Sequence, residues 1–242
     1  MKYHLLPRTV FSLMVICMSA GLSAQNNKTG SLDIINLTYH LNSRFALFTE
    51  AETRSQLITR DFFYHEIKAG AFYYFPNTSS LFAGFGNYET YTSPGAFKRP
   101  VIANEYRLWE QLTIGTNIGK LKIEHRYRIE QRWINGKYSN RFRYRISPLM
   151  PLNHKTILPK TIYLTVNDEV FFTDQQPYFI RNRVYAGGGY QFSKVFTLQS
   201  GFIHQFDYRI TDGGSGTNYI QTSLIFNLNY TNTKRPLHLV TE

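Results

Sequence analysis

The chain has 242 residues, 27 of them lysine or arginine against 16 aspartates and glutamates, for a formal net charge of +11. A single cysteine excludes an internal disulfide framework and a cysteine-based metal site. Positive charge can mark a nucleic-acid binder. Here the basic residues interleave with aliphatic ones at period two and mix with glutamate, without a basic tail or a separate positive helix, so nucleic acid is not an expected partner.

Residues 1–24 read as a cleaved secretory signal. Lys2 and Arg8 give a basic start, Val10–Met18 an apolar core, and Ser23-Ala24 a small-residue cleavage point before Gln25. The apolar run is too short to cross a bilayer as a helix. Cys17 lies inside it, and Ile16 before that cysteine does not suit a lipoprotein box. Cleavage removes the cysteine, and with it any thiol nucleophile. It also removes two basic residues and no acidic one, so the mature domain, 25–242, stays basic.

That domain contains no stretch of about 18 apolar residues and no long amphipathic helical pattern. It reads as strands: Leu32–Leu41, Phe45–Arg54, Phe62–Phe75, Leu81–Thr92, Asn104–Thr116, Leu121–Trp133, Tyr138–Met150, Thr161–Phe172, Tyr178–Phe192, Val195–Tyr208 and Thr217–Tyr230. Most are far longer than the roughly five or six residues usual in soluble sheets. They suit tilted membrane-crossing strands, which need about nine to eleven residues.

The clearest alternation lies in 121–146. Leu121, Ile123, Tyr127, Ile129 and Trp133 point one way; Lys122, Glu124, Arg126, Arg128, Glu130 and Arg132 point the other. After an Asn135-Gly136 turn, Phe142, Tyr144 and Ile146 alternate with Arg141, Arg143 and Arg145. A transmembrane barrel places such aliphatic and aromatic faces against lipid and the charges in the lumen. Glu105, Arg107, Glu169, Arg181 and Arg183 join the lumen ladder from neighbouring strands, and Glu50, Glu52 and Glu66 are further carboxylates able to balance it. Aromatic runs near strand ends, such as Phe62-Phe63-Tyr64, Tyr73-Tyr74-Phe75 and Phe171-Phe172, suggest girdles at the two membrane interfaces.

The connections differ in length, as in outer-membrane barrels with short turns at one rim and long loops at the other; Pro148–Pro159 breaks that pattern. Eleven segments conflict with the even strand number of bacterial single-chain barrels. The expectation is therefore an all-β, antiparallel, up-and-down transmembrane barrel of about ten to twelve strands, with Leu32–Leu41 a candidate to lie outside it. Gly84, Gly86 and Gly187-Gly188-Gly189 fall within strands and read as bends or close approaches.

Four motifs carry a family resemblance: Glu105-Tyr106-Arg107-Leu108-Trp109-Glu110-Gln111, His125-Arg126-Tyr127-Arg128-Ile129-Glu130-Gln131-Arg132, Asn140-Arg141-Phe142-Arg143-Tyr144-Arg145 and Arg181-Asn182-Arg183. They resemble the pattern of the domain of unknown function 2490 family, whose members are similar to outer-membrane β-barrels. The resemblance implies a fold and a location and no particular reaction.

The strand histidines His65, His125 and His204 are candidates for acyl-transfer chemistry, but no nucleophile signature such as G-x-S-x-G accompanies them. No His-x-His or Glu-x-x-His metal pattern is present. The reading is a non-enzymatic barrel of the Gram-negative outer membrane, structural or a narrow channel, without catalytic residues, metal or cofactor. Its expected partners are outer-membrane lipid, the barrel-assembly machinery and a small anionic solute. The alternatives are a membrane-embedded hydrolase or acyltransferase acting on lipid or lipopolysaccharide, and a soluble periplasmic ligand-binding barrel.

Overall fold

Side chains alternate across a strand, so a sequence with period-two polarity folds into a sheet with one apolar and one polar face. In the computed structural model, which describes residues 28–229 apart from 77, 96 and 99, that sheet closes on itself. The expected signal segment and its cleavage point lie outside the described residues. The strands are β1 (Thr29–His40), β2 (Phe45–Leu57), β3 (Arg60–Tyr74), β4 (Ser80–Tyr91), β5 (Val101–Ile118), β6 (Leu121–Ile134), β7 (Lys137–Pro151), β8 (Thr161–Thr173), β9 (Phe179–Gln191), β10 (Phe196–Asp207) and β11 (Ser215–Leu228).

Each strand pairs antiparallel with the next, and β1 closes the barrel against β11 in parallel, from Thr29↔Asn218 to Tyr39↔Leu228. This corrects the parity argument. An even strand number is required only when every neighbour is antiparallel. One parallel seam lets an odd number close, still pairs the backbone groups, through slanted bonds, and leaves no edge. Leu32–Leu41 therefore belongs to the barrel wall. The Asn135-Gly136 turn has positive φ at both residues, 49° and 82°, as a two-residue type I′ hairpin requires.

The outer face carries Ile35, Leu47, Ile67, Phe85, Leu108, Ile129 and Leu164, all exposed. Their neighbours in sequence face inward: Ile129 is 47% exposed while Arg128 is 7% exposed. Polar groups on the outer face have local partners. Gln131 donates to Glu110 at 3.2 Å, Asn182 to Asp168 at 2.5 Å, and His125 Nδ1 lies 2.9 Å from the Tyr144 hydroxyl.

Two aromatic girdles flank this apolar band. Phe45–Tyr73, Tyr190–Phe192 and Phe196–Phe226 mark one rim, and Phe62–Phe97, Trp133–Tyr138 and Phe172–Phe179 the other. Adjacent aromatics do not all belong to them. Tyr64, Tyr74 and Phe171 are buried in the interior, because consecutive residues of a strand face opposite ways. The expected difference in loop length between rims is also weak: 152–160 and 92–100 are equally long and lie at opposite rims.

The lumen is filled at the rim where the chain leaves β11. Phe48, Phe72, Tyr74, Phe82 and Trp109 pack there, with Ile157, Tyr163 and Ile225 beside them. Gly84 makes room for this cluster: a Cβ there would meet the Phe82 ring and come within 2.7 Å of Trp109. The glycine therefore serves ring packing, the close approach of the two readings the sequence offered.

Candidate functional site

The ladder residues share the interior parity of their strands, and register decides which of them meet. Like charges face each other directly: Arg126 pairs in register with Arg145, and Arg128 with Arg143. Such pairs repel, and carboxylates from two strands resolve them. Glu130, opposite Arg141, accepts from Arg141 Nε at 2.6 Å and from Arg143 Nη1 at 2.8 Å. Glu169, opposite Arg145, accepts from Arg143 Nε at 2.9 Å and from Arg126 Nη2 at 2.5 Å. Arg128 donates from Nε and Nη2 to the neutral Gln111 at 2.9 and 2.8 Å, and its Nη1 lies 3.5 Å from Glu130. At the level of Glu105, the guanidinium groups of Arg107 and Arg132 share that one carboxylate.

Glu50, Glu52 and Glu66 do not neutralise these arginines. Their oxygens lie within 4.8 Å of one another, beside cations of their own two strands. Lys68 pairs with Glu50 and Glu66, and Arg54 with Glu52 at 2.5 Å. Those cations occupy the place a metal would take.

A cavity of about 560 Å³ remains at the rim that carries Thr29. Lys28, Gln56, Thr90 and Ser215 stand at its mouth; Arg143 and Phe171 lie at its depth. Its lining has eight cationic side chains, Lys28, Arg54, Arg107, Arg132, Arg141, Arg143, Arg181 and Arg183, against the carboxylates Glu105 and Asp207. Phe171 organises four of them: the guanidinium carbons of Arg143, Arg141, Arg181 and Arg183 lie 4.5, 5.4, 5.6 and 5.6 Å from its ring centre. Attraction to the ring face holds these cations without neutralising them.

The fourteen sequence-predicted residues thus divide in three. Glu105, Arg107, Arg132, Arg141, Arg143, Arg181 and Arg183 line the cavity. Arg126, Arg128, Glu130 and Glu169 form the ionic layer beneath it, through the contacts above. Lys122, Glu124 and Arg145 line a separate space of about 20 Å³ towards the other rim. Sequence reasoning missed Arg54, Gln205, Asp207, Tyr219 and Phe171. Arg54 shares the parity of Glu50 and Glu52 and was within reach of the alternation argument. Phe171 was hidden by its aromatic neighbour Phe172.

A second cluster sits on the outer face near the same rim. His65 Nε2 lies 3.1 Å from the Tyr91 hydroxyl and 3.5 Å from Glu89 Oε2, and that hydroxyl also donates to Glu89. Phe97, from the connection after β4, packs on His65 and Tyr91 with ring centres 5.4 and 5.6 Å away. His204 Nδ1, by contrast, lies 2.8 Å from the amide oxygen of Asn218.

The family described as "Protein of unknown function (DUF2490)" matches residues 29–215. The chain belongs to this family. No curated protein matches by sequence. Among solved structures, LpxR from Salmonella typhimurium is similar, with a TM-score of 0.53 and 11% identity over 90% of this chain and 96% of that one. At that identity the likeness speaks for the fold.

It nevertheless corrects one expectation. LpxR is an outer-membrane lipid A deacylase, so the inference from a narrow, side-chain-filled barrel to a protein without enzymatic activity does not stand. A barrel of this fold leaves its outer face and rims available for chemistry.

Proposed function

We propose that this DUF2490 protein is a barrel of the Gram-negative outer membrane that takes an anionic ligand, a solute or a lipid headgroup, into its arginine-lined cup. The observation that carries this reading is the imbalance of eight cations against two carboxylates around one cavity. Part of that charge is met from just outside the lining, Arg54 by Glu52 and Arg141 and Arg143 by Glu130 and Glu169, and an anionic ligand balances the surplus through charge-assisted, often bidentate bonds. The apolar outer band, the two aromatic girdles and the fold shared with LpxR support the membrane location.

The test is calorimetric titration of the detergent-purified barrel with small polyanions and with a polyamine. Saturable anion binding that weakens with salt is expected. Binding of the polyamine but of no anion would remove the reading.

The His65 cluster favours a second reading: hydrolysis of an acyl ester at the outer face, with His65 as general base oriented by Glu89 and Tyr91. LpxR, with the same fold, removes acyl chains from lipid A. Fatty-acid release from lipopolysaccharide by the native protein, lost in His65→Gln, is the expected result. Equal release from both proteins removes His65 from the reaction.

A further inference from the structure

Two arginines of the cup are held in a way that leaves much of each head uncommitted. Arg181 and Arg183 lie two residues apart on the interior face of β9, opposite Asp207 and Gln205 of β10. The Asp207 carboxylate accepts from Arg181 Nε at 2.5 Å and from Gln205 Nε2 at 2.8 Å. The Gln205 carboxamide oxygen accepts from Arg183 Nε at 3.2 Å and Nη2 at 2.8 Å. A single carboxylate therefore serves two guanidinium groups, one of them only through a neutral relay. Arg183 is 5% exposed, and its polar partner among the described residues is uncharged.

A guanidinium has five N–H donors in a rigid fork. Gln205 takes two N–H groups of Arg183, and Asp207 takes the Nε–H of Arg181, so further donors remain on both heads. The Phe171 ring centre lies 5.6 Å from each guanidinium carbon, and the phenyl ring carries no oxygen or nitrogen to accept their N–H groups. Both residues line the cavity.

We propose that Arg181 and Arg183 are the receptor for a phosphate-type group, a phosphomonoester or a pyrophosphate. This rests on the anion-cup reading above. A planar carboxylate matches a single fork. A phosphomonoester presents three acceptor oxygens and a charge of about −1.5 to −2, which suits two forks side by side and the surplus charge around them. The phosphate comes either from a lipid headgroup or from a soluble compound.

The experiment titrates the mature barrel in non-ionic detergent with inorganic pyrophosphate and, in parallel, with malonate. Arg183→Gln and Arg181→Gln are compared with Arg44→Gln, which removes the same charge from an exposed loop at the opposite rim. Pyrophosphate is expected to bind more tightly than malonate. Each cup variant should weaken it by at least about tenfold, and Arg44→Gln should leave it unchanged. Should Arg183→Gln fail to assemble, Arg183→Lys keeps the charge, loses the fork and is expected to weaken pyrophosphate more than malonate.

Micelles doped with phosphatidic acid identify the source. Displacement of bound pyrophosphate assigns a lipid phosphate, and retention assigns a soluble one. Equal affinity for malonate overturns the phosphate assignment. Anion binding unaffected by either β9 variant overturns the receptor and leaves the cup standing. No anion binding at all overturns both.

Discussion

Arg183 of β9 and Gln205 of β10 stand directly opposite each other, and the carboxamide oxygen accepts two hydrogen bonds from the guanidinium. A buried cation is thus held by a neutral group. Deeper in the lumen Arg128 likewise meets Gln111 in register with two bonds of 2.9 and 2.8 Å, there with Glu130 3.5 Å from its Nη1. Glutamine fixes the orientation of an arginine and preserves its charge. Gln205 also donates to Asp207 at 2.8 Å, which a glutamate could not do.

Gln205→Glu tests that distinction. The new carboxylate would neutralise Arg183 in place with little change of shape. Anion binding in the cup should weaken by at least about tenfold, while resistance of the barrel to urea falls slightly, because the new carboxylate faces Asp207 in place of the N–H that Gln205 gives it. Titration and urea unfolding of the same preparation check both halves. Unchanged anion affinity would remove Arg183 from the site.

Ile129 and Arg128 are neighbours that face opposite ways. An arginine on the lipid face near the bilayer midplane costs about 2–4 kcal/mol. Ile129→Arg should therefore reduce assembly of the heat-modifiable form. Arg128→Ile instead leaves Gln111 buried without its donor, at about 1–3 kcal/mol. It should assemble better than Ile129→Arg in the same gel assay; the reverse order would invert the faces.

Much of this was legible in the sequence, for a physical reason. Period-two polarity is set by covalent geometry, so the eleven strands and the direction of Arg128 and Ile129 follow from reading alternate positions. The Asn135-Gly136 turn was legible because its positive φ values select those residues. Closure was not. Whether β1 runs parallel or antiparallel to β11 depends on strands at opposite ends of the chain, and neither carries that instruction locally. Charge pairing was not legible either. Glu50, Glu52 and Glu66 have the right parity to balance the β6–β7 arginines, yet Lys68 and Arg54 stand nearer and take them. Parity assigns a face; only register and height assign a partner.

Glu169 ties two arginines together in the ionic layer. It is 1% exposed and bonds both Arg126 and Arg143. Glu169→Gln leaves buried guanidinium charge uncompensated, and breaking a buried pair in this way costs about 3–5 kcal/mol. A fall in the urea midpoint of the refolding barrel is the expected reading. Substitution of exposed Asp174, in a rim loop, should leave that midpoint nearly unmoved.

At the cup mouth, the loop 208–214 is pinned by Asp212. Its carboxylate accepts from Arg209 at 2.7 Å and from the Gly214 amide at 3.0 Å, and these bonds, that of Arg209 foremost, hold its pKa below the ordinary value. A depressed carboxylate stabilises the loop above its unperturbed range, and the contribution is lost as pH falls through the lowered value. A spin label or fluorophore on the loop should report greater motion in acid, and Asp212→Asn should show that motion already at neutral pH. A label equally mobile at all pH values would dissociate the loop from this ion pair.

The packed rim decides whether the cup is also a pore. Phe82 and Trp109 stack with centres 5.8 Å apart, Phe48 meets Phe82 edge-on at 5.6 Å, and Glu130, in register with Trp109, pairs with Arg141 and Arg143 of the cavity lining. Ions crossing the barrel would have to displace rings from a close-packed cluster and then pass paired charges. The native protein should therefore conduct little in planar bilayers. Phe82→Ala with Trp109→Ala removes two of the rings that fill the closed end without touching a charged residue of the cup. That variant should conduct and, because eight cations line the cavity at the other end, should favour anions under a salt gradient. High conductance of the native protein would place an open path past Trp109. Cation preference in the variant would mean that the carboxylates around Glu50 and Glu66, rather than the arginines, control passage.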